Sequence, residues 1–148
     1  MKFNYFCCIL AVSSSMATFW AHSAELISLK EAKLPEASGS LKTRGITRGP
    51  AIKVSSPDLT AAEIKSPFDL KVLFESRGGN KVDPNAVTVS DLKSTEVDLT
   101  PRLQGAITAG GIDFSKAEVP PGEHAIKITV KDLDGRESST IINLNIAK

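Results

Sequence analysis

Few residues of this 148-residue chain could do chemistry, and most of them lie in its last third. His124, beside Glu123, is one of only two histidines. An imidazole titrates near neutral pH and binds metal ions, so His124 is a candidate general base or metal ligand. A catalytic site would surround it with a nucleophile and an orienting partner, and no Gly-x-Ser-x-Gly or comparable signature is present. The expectation is an ordinary strand histidine and no enzymatic activity. Asp132 and Asp134, with Gly135, resemble the opening of a calcium loop, which needs further oxygens and a bidentate glutamate at its twelfth position. Counted from Asp132, that position is Asn143. The segment therefore reads as a hairpin turn, with a weak hydrated cation site shared with Asp83 or Asp58 as the metal-binding alternative. No cofactor is expected. Arg77, Arg102 and Arg136 fall in or beside turns, where a guanidinium is usually solvated. They could otherwise anchor a partner, but tyrosine and tryptophan, their usual companions at interface hot spots, occur only as Tyr5 and Trp20 near the N-terminus.

The elements that would position these residues are strands. His124, Ile126, Ile128 and Val130 share one parity, and Ala125, Lys127, Thr129 and Lys131 the other. Thr140, Ile142, Leu144 and Ile146 oppose Ile141, Asn143 and Asn145 in the same way. Alternation with a period of two predicts a hairpin with one face on a core and one in water, joined through 132–136. Upstream, 51–55 alternates with Ile52 and Val54 inward, and 67–76 places Phe68, Leu70, Val72 and Phe74 on one face. Strands are also predicted over 86–90, with Val87 and Val89 on one face, over 96–99 and over 112–119. Arg77-Gly78-Gly79-Asn80, Val82-Asp83-Pro84-Asn85 and Pro120-Pro121-Gly122 supply turns. Thr100-Pro101 reads as N-cap and first helical residue of a short helical turn near 101–107. Six to eight strands without a helix long enough for a βαβ unit predict an all-β, antiparallel two-sheet sandwich.

The first 23 residues read as a signal peptide: Lys2, an apolar run broken by Ser13–Ser15, and Ala21-His22-Ser23 as a cleavage site before Ala24. The serines argue against a membrane-spanning helix, so no stable membrane insertion is expected after cleavage. Cys7 and Cys8 both lie in this leader. The processed chain would thus have no disulfide, thiolate nucleophile or Cys-based metal site. Residues 24–45 are polar, with Pro35 and Gly39, and predict a flexible arm or linker before a domain over 46–148. Removing Lys2 with the leader leaves 17 basic and 17 acidic residues. This balance carries no footprint for nucleic acid.

The pattern Pro-x-Ile-x-x-x-Ser-Pro (50–57), the stretch Ser-Pro-Phe-x-Leu-x-Val-x-Phe (66–74) and the run Pro-Pro-Gly-x-His-x-Ile-x-Ile-x-Val-x-Asp-x-x-Gly-Arg (120–136) together resemble bacterial immunoglobulin-like modules of exported proteins, including the cadherin-like and PKD-like groups. The resemblance implies a Greek-key sandwich used for binding, spacing or assembly in the periplasm or outside the cell, with an envelope or secreted protein as partner. The antibody-type cysteine pair, core tryptophan and tyrosine corner are absent from 24–148, leaving Phe68, Phe74 and Phe114 to fill the core. The alternative from another class is a periplasmic carrier of a small ligand or metal ion. Exported copper carriers share a similar Ser-Pro…Phe opening, but they bind through several histidines or methionines. Here His22, Met1 and Met16 belong to the leader.

Overall fold

A computed structural model describes residues 24–37 and 48–148 of the chain. The expected leader, residues 38–45 of the expected arm and the expected domain start at Ile46 lie outside the described residues. In chain order the elements are β1 (Ala24–Glu25), α1 (Leu29–Ala32), β2 (Ala51–Ser56), β3 (Phe68–Glu75), β4 (Thr88–Asp91), β5 (Val97–Asp98), α2 (Thr100–Leu103), β6 (Ile107–Thr108), β7 (Gly111–Glu118), β8 (Gly122–Lys131) and β9 (Glu137–Ile146). One sheet runs β1-β7-β3-β2, with β6 also on β7; the other runs β5-β4-β8-β9. The chain is an all-β two-sheet sandwich. Every pairing within the sheets is antiparallel except the two-residue contact of β1 with β7, which is parallel.

The alternation sets the core. Leu70, Val72 and Phe74 of β3, Ile126, Ile128 and Val130 of β8, and Ile142, Leu144 and Ile146 of β9 are buried in one cluster. Phe68 and Phe114 pack partly buried against it. Full burial of such a side chain is worth about 1.5–3 kcal/mol, enough for these rows to specify register as well as stability. Along β8 and β9 the register is unbroken from Gly122↔Ile146 to Lys131↔Glu137. Gly111, opposite Leu73, is required where it stands: a Cβ there would lie 2.0 Å from the Val72 carbonyl oxygen. The short helix has a different start from the one expected. Leu99 is its N-cap without a side-chain bond, and the Thr100 hydroxyl instead accepts from Val89 N–H at 2.9 Å. That bond ties α2 to β4.

The flexible arm or linker expected over 24–45 is corrected for residues 24–37. Leu26 and Ile27 are fully buried in the core, because β1 extends the first sheet and turns the chain inward. Ser28 then starts α1 with a capping box: its hydroxyl accepts from Glu31 N–H and its own N–H donates to Glu31 Oε2 at 2.8 Å. Glu36 forms an isolated bridge with Lys93, and Ser94 N–H donates to the Pro35 carbonyl. The segment so runs from the edge of one sheet to a loop of the other, closing one side of the sandwich.

Candidate functional site

His124 stands on the core-facing row of β8, 2% exposed. Its Nδ1 lies 3.3 Å from Asp91 Oδ2, and its Nε2 lies 3.1 Å from the Pro120 carbonyl oxygen. Both ring nitrogens are thus committed inside the protein. Asp91, at the end of β4, is fully buried, and its other oxygen, Oδ1, has no hydrogen-bond partner among the described residues. Beside this pair Lys93 is also buried, with Nζ donating to the Glu123 carbonyl at 2.9 Å. Among the described residues, three buried ionisable side chains therefore share one end of the sandwich interior.

The sequence singled out His124 but not Asp91 or Lys93. The signal for Asp91 was available, since Val87 and Val89 face inward and the same parity carried two residues further reaches it. A carboxylate in an apolar row is the kind of local contradiction that marks a special site.

The turn at 132–136 uses its acids differently. Asp132 Oδ1 accepts from the backbone N–H groups of Asp134 at 3.0 Å and Arg136 at 2.8 Å, and Gly135 N–H donates to the Asp132 carbonyl. Asp134 Oδ2 takes the Asn80 amide and Arg136 Nη2. Asp83 Oδ1 caps its own turn through Asn85 N–H, and Asp58 Oδ1 accepts from the Thr60 hydroxyl and N–H. The Thr60 hydroxyl bond, followed by that N–H, holds the Asp58 carboxyl below its ordinary range. Among the described residues, no group of three or more His, Cys, Asp or Glu is placed to hold a metal ion.

Arg102 is not a solvated turn residue. Its guanidinium grips Glu31 in a two-pronged pair, Nη2 to Oε1 at 2.7 Å and Nη1 to Oε2 at 2.9 Å, while Nη1 also reaches the Leu26 carbonyl at 2.6 Å. The Arg102 bond, helped by those from Ser28 against the opposing effect of burial, lowers the Glu31 carboxyl from 4.5 to about 2. The Arg102 guanidinium is raised in turn by the same partner. This clasp fastens the N-terminal segment to α2.

An open cleft of about 860 Å³ occupies the end of the sandwich where β7 ends and β8 begins. Leu29, Val119, Pro120 and Pro121 supply apolar surface, and its charged lining residues are Glu25, Lys65, Glu118 and Lys148. Leu29 is 65% exposed. Sequence reasoning missed the cleft because it is assembled from β1, α1, the 65–66 link, the β7–β8 turn and the residues after β9. No helix among the described residues is long and apolar enough to cross a membrane. Comparison of the chain with family models, with curated proteins and with solved structures finds no match.

Proposed function

We propose that this chain is an exported, non-catalytic immunoglobulin-like module that binds a protein partner of the cell envelope or the secreted space. The end cleft is the observation that carries the reading. It joins apolar surface from Leu29, Pro120 and Pro121 to charges of both signs, a lining suited to a polypeptide segment with apolar anchors and mixed charge. Strand addition is the weaker mode for this fold. β1 and β5 are two residues long, β2 carries a bulge between Val54 and Ser56, and the end of β9 is covered by Ile64 through bonds to Asn145 and Ala147. Such edges resist pairing with another chain. A second reading, a carrier of a small ligand, draws on the cleft's volume, which lies within the range of small-molecule sites.

A crosslinking pull-down from the native envelope tests the first reading, comparing the natural protein with Lys65→Glu and, as a control on the outer sheet face, Leu73→Ser. Binding at the cleft predicts one partner in near-equal amount, reduced by Lys65→Glu and retained by Leu73→Ser. Recovery of the protein alone would contradict it.

A further inference from the structure

The hydrogen-bond geometry of His124 constrains where protons sit. The Pro120 carbonyl only accepts, so its contact with Nε2 is satisfied only when Nε2 carries a hydrogen. The contact of Nδ1 with Asp91 Oδ2 also needs a proton, on the ring or on the carboxyl, because otherwise two lone pairs face each other. Both contacts therefore hold together only while the pair has one proton beyond the single N–H of a neutral imidazole. This is true whichever atom bears it.

Once that proton leaves, one N–H must serve two acceptors. Asp91 is then a buried carboxylate with Oδ1 already unpartnered, and a bond to a charged acceptor is about twice as strong as one to a neutral carbonyl. The remaining hydrogen goes to Nδ1. Nε2 then presents a bare lone pair to the Pro120 carbonyl, and that contact turns repulsive. Of the two sides, β8 cannot yield easily, being paired along its length with β9 and over four residues with β4. The turn can, because Pro120 and Pro121 have no N–H with which to hold a ladder. Among the described residues, the charged groups around the pair do not supply a substitute proton donor to Pro120. Lys93 is committed to the Glu123 carbonyl and faces Glu36 across a bridge. From β9 the residue opposite His124 is the uncharged Leu144, while Glu25, Lys65, Glu118 and Lys148 line the cleft with the prolines.

We propose that His124 and Asp91 form a proton-operated latch on the Pro120–Pro121 turn. It is closed while the pair holds the extra proton and released when the proton is lost, so that the shape of the end cleft follows pH. The latch rests on the geometry of the pair and stands apart from what the cleft binds.

Nuclear magnetic resonance on the full chain, as recovered from expression with its own leader, tests this by titration over the pH range in which the chain stays folded. The His124 ring nitrogens would be followed together with the carbon signals of Pro120 and Pro121. The latch predicts that the ring passes to the form with hydrogen on Nδ1 and that the proline signals shift with the same midpoint. Asp91→Asn offers an amide donor to Nδ1 and leaves Nε2–H on Pro120, so it should hold the latch closed and abolish the pH response of the turn. His124→Gln, should Asp91→Asn fail to fold, has no titrating ring and predicts the same flat response. A ring that keeps its hydrogen on Nε2 after deprotonation would overturn the proposal. So would proline signals that stay fixed while the ring titrates, or a ring unchanged over the whole range.

Discussion

Replacing Glu31 with glutamine isolates the charge in the clasp that docks the N-terminal segment. Glutamine at this position can still complete the capping box, so helix α1 keeps its start. What is lost is the charged, two-pronged bond to Arg102. The Glu31 carboxyl falls from 4.5 to about 2 in the folded chain. At about 1.4 kcal/mol for each pH unit, this drop of 2.5 gives an upper bound near 3.5 kcal/mol. The side chains of Arg102 and Glu31 retain 35% and 21% of their accessibility, so water screens the pair and about 1–2 kcal/mol is the expected loss at pH 7. The sign follows from the depressed acid. Its contribution is fully present above 4.5 and disappears as pH falls toward about 2. Urea denaturation of the natural protein and Glu31→Gln at neutral pH and again at acid pH is the assay. The two stabilities should differ by that amount at neutral pH and converge in acid, with other titrating groups cancelling in the difference. Equal stability at pH 7, or a gap that persists in acid, would refute the clasp.

Leu26→Ala should cost about 2–5 kcal/mol in the same denaturation experiment, since Leu26 is fully buried in the core; a change of a few tenths would show a detached arm. Gly111→Ala should cost more than about 2 kcal/mol, or prevent folding, because its Cβ would meet the Val72 carbonyl and its φ is 152°. Asp132→Ala should cost about 1–3 kcal/mol by leaving the N–H groups of Asp134 and Arg136 without their acceptor. Added Ca²⁺ should leave the melting temperature of the natural protein unmoved, a thermal-shift measurement that would register a native-state site by mass action.

The hairpin was legible in the sequence because every inward position of β9 from Thr140 to Ile146, and every one of β8 from Ile126, follows one parity and each is apolar or a threonine. Such a row permits only one register. His124 continues the row, so its inward direction could be read as well. Asp91 continues the inward parity of Val87 and Val89 one residue past the strand predicted over 86–90, so its direction was legible, but its meeting with His124 depends on the pairing of β4 with β8, which no local pattern shows. The N-terminal segment failed for a different reason. Leu26 and Ile27 are two apolar residues in a polar stretch, too few to show a period, and their burial comes from pairing of β1 with a strand more than ninety residues away. The capping box Ser28-x-x-Glu31 was the local sign of order there. Arg102 was misplaced because its partners, Glu31 and Leu26, are distant in the chain, and a turn residue shows no periodicity by which a long-range ion pair could be anticipated.

Site-specific photocrosslinking tests the central claim, that the end cleft engages a protein partner, most directly. A photoreactive residue would replace Leu29 or Pro121 in the cleft and, in separate controls, Leu73 on the outer sheet face or Leu133 on the hairpin tip, each in the native envelope. The account predicts one crosslinked protein shared by the two cleft positions and missing from both controls. Crosslinks absent from the cleft, or equal at all four positions, would contradict it.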